Sequence, residues 1–281
     1  MFKKREYLLL FKKNAIGALQ YLAKEIPNSL FKFYSLGNDI DQIKLQTLRQ
    51  NEIRVDLFKN QNDPFEMINL DIDETAVNPI YSKDGILIIG KDKLIELYKK
   101  HMNHYKNTIK TASFCDVMAT NISMWAYYTN NHQGFCCEYE PISRDLDSMK
   151  PFRPVLYEKS VSQAKASFVE HLIVSGLNTL IDDSEEAQYQ QICNLEMIKL
   201  LASCKDQSWA HEREYRALYF GKENGVGEVV KCTDLNIKLK AIYSGIRCSE
   251  KNKKILRKIA EELNVDFHEM KSSPTDYLLI E

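Results

Sequence analysis

The stretch WAHEREYRALYF, residues 209–220, ends in a segment that predicts a β-strand over 214–220. Side chains in a strand alternate between faces, so Glu212, Glu214 and Arg216 are expected on one side. Two carboxylates on one face repel each other, which raises the pKa of one of them and suits acid–base chemistry. Arg216 would then offset their charge or bind a phosphate. The structural alternative is a Glu–Arg ladder that stabilises the edge of a sheet.

A second motif, NDPFE at residues 62–66, follows a predicted strand over 52–58. Asx residues before a proline favour a turn, and this turn would let Asp63 and Glu66 face one site. The alternative is a purely structural turn that Phe65 anchors. We expect residues 62–66 to meet residues 209–216, because both segments carry carboxylates and lie beside loops, where functional groups are commonly displayed.

A third motif, MWAYY at residues 124–128, precedes NHQGF at 131–135. Trp125 and Tyr128 are three residues apart and therefore share a helix face. Aromatic side chains of this kind stack on a base or a nicotinamide ring, although burial in a core is the commoner use. His132 either orients a ligand or caps the last carbonyl groups of the helix.

Helices and strands interleave along the chain without regular βαβ spacing and without a Gly-rich nucleotide loop. This pattern predicts an α+β fold, with a mixed, mostly antiparallel sheet and flanking helices. Helices are predicted over 4–24, 162–177 and 184–203. The predicted organisation is an N-terminal helical extension over 1–29 and a single α+β domain over 30–281, with a helical insertion near 160–205.

Composition narrows the class of protein. The chain has 38 basic and 39 acidic side chains, so its overall field would not steer it to nucleic acid. Its seven cysteines include no CxxC pair, which predicts free thiols in a reducing cytosol, with no disulfide and no structural zinc. No apolar run approaches the ~18 residues of a membrane helix, so a cytoplasmic protein without a membrane partner is predicted.

Taken in order, these motifs resemble the bacterial domain-of-unknown-function family 2971. The resemblance covers roughly residues 30–280 and rests on seven segments: 31–35, 62–66, 113–115, 124–128, 131–135, 209–216 and 242–247. Two positions depart from the family's pattern. The family tends to show Cys-Phe-Ser where this chain has Ser113-Phe114-Cys115, and a histidine where Tyr127 stands.

The order of the motifs is also similar to that of ADP-ribosyltransferases, whose split α+β sheet binds NAD. Members of the arginine type carry a basic residue on the first strand, a small polar residue on a second and Glu-x-Glu on a later one. The resemblance assigns these places to Lys32, to Asp56 and to residues 212–214, although Lys32 is neither histidine nor arginine and Asp56 is acidic. It implies an NAD-consuming toxin or defence effector in which Glu214 is the key catalytic residue, with Glu212 and Arg216 as its partners. The implied NAD-binding residues are Lys32, Tyr34, Asn62, Asp63, Trp125, Tyr128 and His132.

Two other functions stay open. In a metal-dependent nuclease or other phosphoryl-transfer enzyme, Mg²⁺ would be held by Asp63, Glu66, Glu212 and Glu214, although no lysine is placed beside these carboxylates in the sequence. In a non-catalytic module of a phage-defence system, the motifs would be structural. The expected partners are a protein or nucleic-acid target and an antitoxin or defence-system protein. Both enzyme hypotheses require Asp63, His132, Glu212 and Arg216 to line a single pocket.

Overall fold

The computed structural model describes residues 6–7, 10–11, 14–37, 41–149, 151–161, 172–173, 184–223, 225–276 and 278–280. Within them the chain has an α+β fold, with a mixed, mostly antiparallel sheet and flanking helices, as predicted. The helix predicted over 162–177 lies outside the described residues, except for residues 172–173, which are helical.

The helices are α1 (Ala15–Glu25), α2 (Asp41–Arg49), α3 (Lys91–Thr108), α4 (Ile122–Tyr128), α5 (Leu146–Met149), α6 (Glu185–Leu201) and α7 (Glu250–Leu263). The strands are β1 (Leu30–Tyr34), β2 (Glu52–Leu57), β3 (Ile80–Tyr81), β4 (Leu87–Ile89), β5 (Ile109–Cys115), β6 (Phe135–Pro141), β7 (Phe152–Pro154), β8 (Leu156–Glu158), β9 (Cys204–Asp206), β10 (Glu214–Phe220), β11 (Glu228–Lys231), β12 (Ile237–Ser244), β13 (Asp266–Glu269), β14 (Lys271–Ser272) and β15 (Leu279–Ile280). A 3₁₀ turn, Gln207–Glu212, leads into β10.

The main sheet forks at β5. One edge of β5 pairs with β10 along its whole length, from Ile109 to Cys115. The other edge is shared, because β1 pairs with it at Cys115 and β2 pairs with it at Lys110 and Thr111. The other edge of β1 pairs with β6 over residues 30–34. The fork leaves a gap beside the middle of β5.

Apolar layers cover both faces of the strands around this fork. On one face, Leu45 of α2 and Leu256 of α7 belong to the same buried cluster as Leu30 of β1. On the other face, Trp125 of α4 packs with Cys136 of β6 and with the strand β12. Because successive side chains of a strand point to opposite faces, β1 and β6 are anchored from both sides.

A smaller cluster fixes the other side of the gap. Leu19 and Leu22 of α1 pack with Leu200 of α6 and with Leu156 of β8 and Cys204 of β9. Strands β8 and β9 pair in parallel beside this cluster. The position of β9 is therefore set by helices α1 and α6 and not by the main sheet.

All seven cysteines are free, and Cys193 is the one that is not fully buried. Among the described residues, no helix is both long enough and apolar enough to cross a membrane.

Gly134, which immediately precedes β6, tests the packing that holds β1 in place. A Cβ atom at this position would overlap the carbonyl oxygen of Tyr34 in β1. Because backbone cannot yield as a flexible side chain does, we expect Gly134→Ala to destabilise the protein by about 1–3 kcal/mol. Urea unfolding followed by circular dichroism measures this change.

Gly90→Ser is the matched control for that measurement. Its Cβ would meet no atom within 4 Å, and Gly90 is the N-cap of α3, where serine is favoured. This variant should unfold at the wild-type urea concentration or slightly above it. A Gly134→Ala midpoint equal to that of wild type would show that residue 134 does not pack against β1 as described.

Candidate functional site

The gap at the fork is a cleft of about 460 Å³, within the usual size range of small-molecule sites. Its walls come from the strands β1, β2, β5, β9 and β10, from the helices α2 and α4, and from the segments at 60–62 and 212. The lining residues are 31–35, 44, 54, 56, 60–62, 111, 113, 114, 124, 128, 205, 212 and 214. Charged, polar and aromatic side chains therefore meet in a single concave site.

Three side chains from three neighbouring strands converge in the cleft. Lys32 of β1 donates from Nζ to the backbone oxygen of Ser113 in β5, at 3.2 Å. The Ser113 side chain lines the same cleft as Glu214 of β10 and contributes to the lowered pKa of that carboxylate. Burial lowers the pKa of Lys32 to about 8, although the negative charge of Glu214 opposes this shift. A basic, a small polar and an acidic group thus face one space.

Arg216 lies behind Glu214 and neutralises it. Its guanidinium bonds Glu214 Oε1 at 2.9 Å from Nε and reaches both carboxylate oxygens of Glu66, at 2.6 and 2.9 Å. Burial by itself would raise the pKa of Glu214, but the charge and hydrogen bonds of Arg216, helped by Lys205, lower it to about 2. The expected rise from repulsion between neighbouring carboxylates is therefore wrong for Glu214, because buried cations outweigh it. The pKa of Glu66 is raised, chiefly by burial.

Lys205 of β9 connects the carboxylates. Its Nζ lies 2.6 Å from Glu212, 3.5 Å from Glu214 and 4.0 Å from Glu66. The ammonium also lies over the ring of Trp209, at 4.6 Å from its centre. The expectation that no lysine stands beside the carboxylates is therefore wrong. Lys205 is close to them in space but belongs to none of the three motifs.

Glu212 is held at both of its oxygens. The Tyr128 hydroxyl donates to Oε1, while Lys205 donates to Oε2. The same hydroxyl accepts a hydrogen bond from the side-chain amide of Asn62. Burial raises the pKa of Tyr128 further above its usual value, so the phenol stays a proton donor at neutral pH. Together with the contact between Arg216 and Glu66, these bonds confirm that residues 62–66 and 209–216 meet.

Residues 124–217 match the family model described as "Protein of unknown function (DUF2971)". The chain contains a DUF2971 region. This confirms the family predicted from the motifs. No curated protein and no solved structure matches the chain.

The DUF2971 region supplies one half of the cleft. It contains Tyr128, Lys205, Glu212 and Glu214, and it also contains the buried Arg216. The opposite wall is built from residues that precede the matched region, on β1, β2 and β5 and in the loop at 60–62. The complete cleft therefore needs segments on both sides of the boundary at residue 124.

Glu212 reaches the cleft by a different route from the predicted one. It ends the 3₁₀ turn Gln207–Glu212, and β10 begins only at Glu214. Between them Arg213 has a left-handed backbone, with φ 47°. The strand alternation assumed for Glu212 is therefore wrong, yet both glutamates face Lys205, because the left-handed residue redirects the chain. An ion pair of Arg213 with Asp116, at 2.6 Å, holds this bend.

Trp125 and His132 do not line the cleft. Trp125 is completely buried, donates from its indole nitrogen to the backbone oxygen of Met118 and packs edge-on against Phe33. The ring of His132 is stacked parallel to that of Trp125 and is not among the lining residues. The nicotinamide-binding role predicted for Trp125 is wrong, because this ring fills the core between α4 and the sheet. Tyr128, one turn later on α4, does reach the cleft.

Asp63 also has a structural place. Its side chain is 3% exposed, accepts a hydrogen bond from the backbone nitrogen of Phe65 and forms no part of the lining. Of the four residues expected to share one pocket, Glu212 alone lines it, while Arg216 lies behind Glu214. The condition that both enzyme hypotheses were required to meet therefore fails for Asp63, His132 and Arg216. An enzyme would have to use the different residues that do share the cleft, among them Lys32, Ser113 and Glu214.

Several of the residues that share the cleft were predicted, and others were missed. Lys32, Tyr34, Asn62, Tyr128, Glu212 and Glu214 line the cleft, and their binding and catalytic roles stay predictions. Ser113 and Lys205 were assigned no role. Ser113 belongs to one of the segments that carry the family resemblance, and its place on a predicted strand was the available signal. Lys205 has no signal in the sequence, because only folding brings β9 beside β10.

The carboxylates predicted to bind Mg²⁺ do not form a ligand set. Glu66 and Glu214 face Arg216, and Asp63 is bonded to the turn that it caps. In the part of the chain that the structure describes, no three or more His, Cys, Asp or Glu side chains are grouped to hold a metal ion. The carboxylates of this site are matched to cationic side chains.

The lowered pKa of Glu214 predicts a specific loss of stability in acid. Its folded-state value of about 2 lies below the usual 4.5, so the ionised carboxylate stabilises the fold above pH 4.5. This contribution, about 3 kcal/mol, disappears as the pH falls toward 2. The difference in unfolding free energy between wild type and Glu214→Gln should therefore shrink by that amount. Urea titrations at a series of pH values measure it.

The control is Glu96→Gln, which changes an exposed glutamate on α3. The free energy of unfolding of this variant should change with pH in the same way as that of wild type. If the free energy of unfolding of Glu214→Gln also changed with pH in the same way as that of wild type, this result would contradict the buried ion pair with Arg216.

Proposed function

We propose that this chain is an ADP-ribosyltransferase-like, NAD-consuming effector of bacterial defence or toxicity, working in the cytoplasm. One observation carries the proposal: Lys32, Ser113 and Glu214 converge in the cleft from three neighbouring strands, β1, β5 and β10. Arginine-type ADP-ribosyltransferases are expected to carry a basic residue, a small polar residue and a glutamate on their strands in this order. Ser113 takes the place first given to Asp56, which removes the mismatch of an acidic residue there.

The shape of the sheet supports the same proposal. The resemblance implied a split sheet that grips NAD, and the cleft lies where β1 and β2 leave the shared edge of β5. Aromatic surface is available in the cleft from Phe33, Phe114 and Tyr128, in place of the buried Trp125. Flat rings of this kind suit a nicotinamide or adenine ring.

The buried charges support a catalytic use of the site. Buried ion pairs are weak stabilisers, because apolar side chains of similar volume would serve the fold as well. Here the pairs surround a cleft and keep Glu214 ionised, which is typical of a functional site. A carboxylate fixed in a desolvated site stabilises positive charge far better than it would in water.

NAD supplies a ribose–nicotinamide bond that breaks with its electron pair leaving on neutral nicotinamide, while an acceptor bonds to the ribose carbon and releases a proton. In this chain Glu214 would hold a ribose hydroxyl and stabilise the charge that develops on the sugar. Ser113 would orient Glu214, and Lys32 would bind an anionic part of the dinucleotide. The acceptor would be a protein or a nucleic acid, and an antitoxin or another defence-system protein would restrain the activity.

Glu214→Gln tests the catalytic role directly. The substitution keeps the shape of the side chain and removes its charge, so kcat should fall about 100-fold or more, as on deletion of one transition-state contact. Nicotinamide release and ADP-ribosyl adducts are measured after expression in a bacterial host and with purified protein. Glu96→Gln changes an exposed residue that is not part of the cleft lining, so it is the control and should retain wild-type activity.

The outcomes separate the hypotheses. Wild type that leaves NAD untouched, modifies nothing and allows the same growth as Glu214→Gln would exclude the proposed activity. A folded but inactive wild type would favour the non-catalytic module, with the cleft as a ligand-binding site.

The pKa of Lys32 predicts how NAD binding depends on pH. Because this pKa is about 8, the ammonium is charged at pH 7 and loses its proton as the pH rises through 8. The affinity for NAD, measured by calorimetry, should therefore fall between about pH 7 and pH 9 if Lys32 binds a phosphate. Lys32→Arg should bind NAD with little change over this range, since a guanidinium stays protonated. An equal decline in both proteins would remove Lys32 from the binding site.

A further inference from the structure

We propose that Lys205 is a positioning residue that holds Glu212 and Glu214 side by side as carboxylates facing the cleft. The inference deepens the proposed function and rests on it only for the kinetic part of its test. Lys205 donates to Glu212 at 2.6 Å and lies 3.5 Å from Glu214, and all three side chains are at most 5% exposed. It belongs to a short strand outside the main sheet, so its contacts join two parts of the fold.

Arg216 cannot replace Lys205 in this role. Arg216 pairs with Glu214 and Glu66, but its hydrogen bonds do not extend to Glu212. Among the described residues, Lys205 is the cation that forms an ion pair with Glu212. Arg216 therefore holds Glu214 but not Glu212, whereas Lys205 bridges the two glutamates.

The charge balance shows why the bridge matters. Three carboxylates, Glu66, Glu212 and Glu214, are buried beside two cations, Arg216 and Lys205. Removing the Lys205 charge would leave one cation for three carboxylates in a site from which water is largely excluded. Proton uptake by a carboxylate is then the least costly response.

Titratable groups from the surrounding elements interact with Glu212 or Glu214. They are Lys32 from β1, Glu66 from the 62–66 segment, Cys115 from β5, Tyr128 from α4, Tyr157 from β8 and Arg216 from β10. The two tyrosines and the cysteine are neutral at pH 7, because burial raises the pKa of each above its usual value. Lys205 and Arg216 are thus the buried cations that oppose protonation of Glu214, with Lys32 adding a longer-range effect.

The test compares Lys205→Met, which removes the charge, with Lys205→Arg, which keeps it. Carboxyl ¹³C resonances of glutamate-labelled protein are followed from about pH 2 to pH 8, and Glu214 and Glu212 are assigned from their Gln variants. In Lys205→Met the midpoint of Glu214 should rise by about 1–3 pH units, the effect of losing a nearby opposite charge. In Lys205→Arg it should stay near the wild-type value.

The pH dependence of kcat/KM gives a second readout for the same variants. The acidic limb of the kcat/KM profile should move up by the same number of pH units in Lys205→Met, and Lys205→Arg should restore the wild-type profile. Lys238→Met, which changes an exposed lysine on β12, is the control and should leave both readouts unchanged. If the role of Lys205 were only structural, Lys205→Met would lower the stability of the protein without shifting the acidic limb of the kcat/KM profile.

Each outcome decides one of the two proposals. Unchanged carboxyl titrations in folded Lys205→Met would overturn the role of Lys205, whatever the activity. Shifted titrations in a protein that does not consume NAD would support Lys205 and defeat the proposed function. If Lys205→Met does not fold, the double variant Lys205→Met/Glu212→Gln, which keeps the net charge of the cluster, should restore folding, and failure to restore it would overturn the inference.

Discussion

Strand β5 imposes the constraint on which the rest of the site depends. A strand has two hydrogen-bonding edges, and β10 occupies one edge of β5 completely. Strands β1 and β2 must therefore share the other edge, and they take opposite ends of it. Among the residues that the structure describes, no strand pairs with the backbone between these ends, so the sheet opens there. The cleft is a consequence of this competition for one edge.

The opening would be unstable without the charges that line it. Unpaired backbone and polar side chains beside a gap need partners, because burial without hydrogen bonds is costly. Lys32 supplies one of these partners, donating to the backbone oxygen of Ser113 within the opened stretch. Behind it, Arg216 and Lys205 balance the glutamates of the cleft. The cationic side chains beside the opening thus also fix the carboxylates that line the cleft.

The parts of the site that the sequence predicted are those that depend on local pattern. The strand over 214–220 and the cleft positions of Lys32 and Glu214 follow from alternation along a chain segment. The helix at 124–128 was also predictable, but not which of its aromatic rings would be buried. Trp125 and Tyr128 share a face by spacing, yet α4 lies against the sheet at an angle that buries the first and leaves the second at the cleft.

The sequence by itself determined the α+β class, the DUF2971 resemblance and several of the residues that line the cleft, because periodicity and short motifs are local properties of a chain. Tertiary structure alone decided that Lys205 meets the glutamates and that Ser113 stands between Lys32 and Glu214. It also decided the sign of the pKa shift of Glu214. The physical reason is that electrostatic interactions depend on distance and burial in space, and neither is encoded in the spacing of residues along the chain.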